Sequence, residues 1–76
     1  MVSLSELLVN EQATIRSFSI GRSETNRLAS LGLTPGAQVD MTQNFGRGPL
    51  IVMVRGTRVA LGRGEASKIF VERNIS

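Results

Sequence analysis

The sequence predicts one small, mainly β domain with short helices, folded as a partly open β-barrel. Apolar stretches of strand length alternate with tight glycine turns. The helical signatures are few and short, and none has the spacing of a long amphipathic helix. A chain of 76 residues leaves room for one core and one domain, residues 1–76.

The elements follow in order. Ser3-Leu4-Ser5-Glu6 has the form of a capping box. It opens a helical turn whose Leu4, Leu7 and Leu8 must dock on something larger. Asn10-Glu11 ends it. Gln12 to Ile20 reads as extended. Ala13 and Ile15 share one parity and Phe18 and Ile20 the other, so a bulge near Ser17 brings both pairs to the core. Ser23 is the expected cap of the next helix, with Glu24 complementing its positive end. Leu28 and Leu31 are its expected core anchors, Gly32 its left-handed stop and Leu33 the apolar lid beyond. Thr34-Pro35-Gly36-Ala37 has the composition of a type II turn.

Sheet follows. Val39, Met41, Gln43 and Phe45 share the inward parity of one strand. Gly46-Arg47-Gly48-Pro49 is a loop. Leu50 to Arg55 and Arg58 to Leu61 form a hairpin about a Gly56-Thr57 turn of type II′. That turn pairs Arg55 with Arg58, Val54 with Val59, Met53 with Ala60 and Val52 with Leu61. Leu50, Val52, Val54, Val59 and Leu61 then face the core, and Ile51, Met53, Arg55, Arg58 and Ala60 face outwards. Glu65 to Phe70 reads as a short helix, Val71 as a return to the sheet, and residues 74–76 as a frayed tail.

Composition removes whole classes of chemistry. With no Cys there is no disulfide, reactive thiol or thiolate metal site. With no His there is no imidazole base or ligand. The six acids are scattered and none pairs on a helix face, so ferrous iron should bind no better than millimolar. An enzyme is not expected, nor a cofactor. Eight of the nine cations are Arg, and the formal net charge is +3, a mild field. No apolar run is long enough to cross a membrane and the first ten residues do not resemble a secretory signal, so the expected location is cytoplasmic.

The outward hairpin face carries the functional expectation. Opposed arginines are unfavourable in a sheet unless solvated or met by an acid. Ile51, Met53 and Ala60 beside Arg55 and Arg58 give apolar area ringed by arginine, the composition of a protein interface. A solvated rim is the plainer alternative. A nucleic-acid-binding barrel is the rival function, but it needs exposed aromatics, and Phe18, Phe45 and Phe70 all fall on inward parities. Gly46-x-Gly48 and Gly62-x-Gly64 lack the further residues of a phosphate-binding loop.

The run Arg27-Leu28-Ala29-Ser30-Leu31-Gly32-Leu33-Thr34-Pro35-Gly36 resembles the RLxxLGLxPG segment of the FeoA family. Gly48-Pro49-Leu50-Ile51-Val52 and Val54 to Gly62 resemble its GPxxVxVRGTRxALG hairpin, and Ala66, Lys68, Ile69 and Val71 its closing AxKIxV. The likeness runs from about Leu4 to Glu72. It implies an SH3-like barrel and an accessory or regulatory role in bacterial ferrous iron uptake. The implied partner is the cytosolic part of a membrane permease with its own GTP-binding domain, so nucleic acid is not expected and the membrane is reached only through that partner. Many relatives carry Gly-Asp-Pro where this chain has Arg47-Gly48-Pro49, so a contact through that acid does not transfer. The same barrel closes iron-dependent repressors, but the 76 residues hold no helix-turn-helix.

Overall fold

The computed structural model describes residues 1–74. Six strands form one antiparallel sheet: β1 (Val2–Ser3), β2 (Gln12–Phe18), β3 (Gln38–Gln43), β4 (Leu50–Val54), β5 (Thr57–Leu61) and β6 (Ile69–Arg73). Their order is β1-β6-β2-β3-β4-β5. The two end strands do not pair, so the sheet curls around its core as the partly open barrel expected. A 3-10 turn (Leu4–Glu6) follows β1, α1 (Arg22–Ser30) links β2 to β3, and α2 (Arg63–Ala66) links β5 to β6.

The Ser3 amide donates to Glu6 Oε2 (3.2 Å), as the capping box requires. Leu4 and Leu7 are buried. Leu8, expected beside them, is 68% exposed, because the turn ends at Glu6 and the chain is already extended at Leu7, which takes Leu8 off the helical face. The bulge in β2 falls between Ile15 and Ser17. Ala13 and Ile15 before it are buried, and Phe18 and Ile20 beyond it pack partly against the core.

Helix α1 starts two residues before the expected cap residue would allow. Gly21 holds the cap position, and the Ser23 hydroxyl donates to Glu24 Oε1 (2.9 Å) instead of accepting a backbone amide. At the other end Gly32 (φ +96°) and Leu33 close the helix with amides donating to Ala29 O (3.0 Å) and Leu28 O (2.9 Å). Leu28 and Leu33 are fully buried. Leu31 is not the anchor expected, since it occupies the cap itself and is 39% exposed. The turn at residues 34–37 forms, with Ala37 N–H donating to Thr34 O (2.9 Å) and Gly36 at φ +90°.

A second bulge, between Met41 and Gln43, turns the end of β3. The parity carried forward to Phe45 is lost there, and Phe45 is 76% exposed. The hairpin turn is Arg55-Gly56, with φ +51° and +78°, rather than Gly56-Thr57. Val54 pairs with Thr57, Met53 with Arg58, Val52 with Val59, Ile51 with Ala60 and Leu50 with Leu61. Two successive positive φ values define a type I′ turn, whose twist suits a hairpin. Each partner moves by two residues relative to the expected register, so the face of every side chain survives while the Arg55–Arg58 opposition does not. The expected helix at residues 65–70 is only the turn of α2, and Ile69 and Phe70 already belong to β6. Asn74 is no frayed end: its amide donates to Gln12 O (2.9 Å). The other two residues of that expected tail lie outside the described residues.

Candidate partner-binding site

The outer face of β3, β4 and β5 is built in two cross-strand rows. Asp40, Met53 and Arg58 lie side by side in one, and Gln43, Ile51 and Ala60 in the other. Directly opposed residues of this kind stand about 5 Å apart. Ile51 and Met53 are half-buried between the flanking strands, and Arg58 and Ala60 are exposed. Four of the five residues expected on one face, Ile51, Met53, Arg58 and Ala60, are therefore brought together.

Arg55 departs from that group. At the tip of the hairpin its chain lies over Gly32, where an added Cβ would stand 3.2 Å from Arg55 Cδ. Its Nε donates to Gly32 O and its Nη2 to Thr34 Oγ1, both at 3.4 Å. A cation just beyond the C-terminus of α1 complements the negative helix end. Arg55 is thus a brace between the hairpin and the α1 cap, not a member of the outer face.

Charge is divided unevenly along the chain. Residues 41–64 hold Arg47, Arg55, Arg58 and Arg63 and no acid, whereas the other 52 residues hold five cations and six acids. The three ion pairs of the described residues, Arg16–Glu72, Arg27–Glu65 and Arg73–Glu11, all neutralise cations outside that basic segment. Arg63 has a structural partner: its Nη2 donates to Asn44 Oδ1 (2.7 Å), and the Asn44 amide donates to Ser5 O (3.1 Å) and Leu7 O (2.8 Å). Arg47 and Arg58 make no side-chain hydrogen bond or ion pair among the described residues. Arg58 is accordingly the free cation of the outer face, and Arg47 that of the loop at its end. Elsewhere, Glu11 is held below its ordinary value by the Leu8 amide (2.7 Å) and then by Arg73. Glu24 is lowered chiefly by the Ser23 hydroxyl.

The sequence reading missed two features. Leu8, Val9 and Phe45 are exposed where the Asn44 side chain ties the β3–β4 loop to the first 3-10 turn. The signal for them is the glycine on each side of Arg47, which marks the loop, together with a bulge that no periodicity shows. Arg55 as a turn residue was also missed, because arginine rarely takes positive φ. Among the described residues no three acids gather around a possible metal position, and there is no cleft for a small molecule.

The profile of the FeoA domain matches residues 2–73. The chain belongs to the FeoA family. A curated Methanocaldococcus jannaschii relative, provisionally named Fe(2+) transport protein A, is 34% identical over 62 residues, covering 82% of this chain and 74% of its own. Among solved structures, an iron uptake regulatory protein (FeoA) superposes with a TM-score of 0.90 at 33% identity, covering 96% of this chain and 97% of its own. The Stenotrophomonas maltophilia FeoA, solved with zinc and described as a prokaryotic SH3 domain protein, gives a TM-score of 0.81 at 32% identity, with 95% of this chain and 91% of its own covered. The family's SH3-like barrel is thus the fold of this chain. Among the described residues no helix is long and apolar enough to cross a membrane.

Proposed function

We propose that this FeoA-family chain is a non-enzymatic accessory protein of ferrous iron uptake. It docks its outer β3–β4–β5 face on the cytosolic part of a GTP-binding iron permease. The names of the relatives support the iron context, and the permease is the partner that this chain's resemblance to the family implies. The observation that carries the docking surface is Arg58, a cation unpaired among the described residues, in a segment whose charges are all basic, beside half-buried Ile51 and Met53. Such a face suits an acidic, partly apolar partner. Nucleic acid is a poorer match. Phe45 is exposed, but it stands alone in a loop, and stacking needs a platform of aromatics over a basic groove.

The test is calorimetric titration of the permease's cytosolic domain with this protein and its variants. Arg58→Glu should weaken binding by more than ~1.4 kcal/mol, a factor of ten, and abolish support of iron uptake. The control is Arg22→Glu on α1, because Arg22 is exposed and makes no ion pair among the described residues. Arg16 and Arg73 are unsuitable controls, since reversing either breaks an ion pair. Equal weakening by the control would reduce the effect to net charge, and normal binding by Arg58→Glu would remove the face from the interface.

A further inference from the structure

Strand β5 ends the sheet, and its far side is open. In the hairpin closed by Val54 and Thr57, hydrogen-bonded pairs alternate with unbonded ones. Thr57, Val59 and Leu61 spend their backbone groups on β4. Arg58 and Ala60 therefore turn their N–H and C=O groups away from the sheet. No other backbone group of the described residues pairs with them, and both residues are exposed. The opposite edge, β1, is only two residues long. Proteins ordinarily blunt a free edge with proline, a bulge or a covering element, and β5 has none of these along its five residues. Its one charge is Arg58.

We infer that this edge receives an extended acidic segment of the partner, which joins the sheet as an added strand beside Arg58 and Ala60. Backbone pairing would supply the affinity, and carboxylates at alternate positions would meet Arg58 on the outer face. Charge selects this occupant. A second copy pairing through β5 would bring two all-basic segments of residues 41–64 together, which like-charge repulsion opposes. The inference rests on the docking face proposed above and specifies how a partner engages it.

The test is amide hydrogen exchange and NMR shift mapping on the full chain, with a capped peptide of alternating Glu and Val as probe. At saturating peptide, exchange at Arg58 and Ala60 should slow by about tenfold or more, while a Lys and Val peptide leaves both unchanged. Ala60→Pro removes one edge donor and should weaken the acidic peptide about tenfold. Exchange in the unmodified protein decides the matter if that variant folds poorly. Absence of protection at Arg58 and Ala60 with the acidic peptide overturns the inference. So does protection that rises with protein concentration alone, which would assign the edge to a second copy. The permease domain separates the two readings. Binding without protection of these amides removes the edge and keeps the function, whereas peptide protection without any permease complex keeps the edge and removes the permease.

Discussion

Leucine truncation in and after α1 tests how this helix is held. Leu28 is the one residue of α1 that is buried, and Leu31 at the cap is 39% exposed. Leu28→Ala removes three carbons from a site with no solvent exposure. At about 0.8 kcal/mol per buried methylene the transfer loss is roughly 2.4 kcal/mol, and the cavity left behind raises it to about 3–5 kcal/mol. A domain of 76 residues has a total stability of about 4–11 kcal/mol, so the variant stands near the edge of folding. Its midpoint should fall by roughly 12–40 °C. Leu31→Ala should cost about 1 kcal/mol or less, because much of that side chain is already in water. Urea and thermal unfolding followed by far-UV circular dichroism measure both. If Leu31→Ala costs as much as Leu28→Ala, or if Leu28→Ala costs under about 1 kcal/mol, the helix is held by contacts other than those described.

Three further outcomes are expected. Gly36→Val should lose about 1–3 kcal/mol in urea unfolding through backbone strain alone, because φ is +90° and an added Cβ has nothing within 4 Å to strike. Arg55→Asn and Arg55→Val both lose the reach to Gly32 and Thr34, but the Val variant should be less stable than the Asn variant by about 1–3 kcal/mol, since Asn tolerates the left-handed region and a β-branched residue does not; equal stability of the two would refute the type I′ turn. Glu11 is depressed below its ordinary value of 4.5, so its contribution is complete above that pH and is lost as pH falls through the lower folded value. Glu11→Gln should therefore unfold at lower temperature than the parent at neutral pH, with the gap narrowing below pH 4.5 in a melting series.

What the sequence by itself determined was the inward face of the hairpin strands and the glycine turns after α1. Alternation placed Leu50, Val52, Val54, Val59 and Leu61 in the core, because a strand has only two faces. Gly32 and Gly36 marked turns since a left-handed backbone is costly for other residues. The outer grouping of Ile51, Met53, Arg58 and Ala60 was legible for the same reason, and the family likeness through its spaced motifs. The tertiary structure alone decided the hairpin register. A left-handed Arg55 is unfavourable locally. It is held because Val54 pairs with Val39 on β3 and the Arg55 side chain reaches the end of α1. The bulge between Met41 and Gln43 likewise exposed Phe45, and the cap position exposed Leu31. Which arginines are free was hidden too, since partners for Arg16, Arg27 and Arg73 lie 38 or more residues away along the chain. Periodicity and turn chemistry are local, whereas bulges, register and ion pairs depend on strands that meet only after folding.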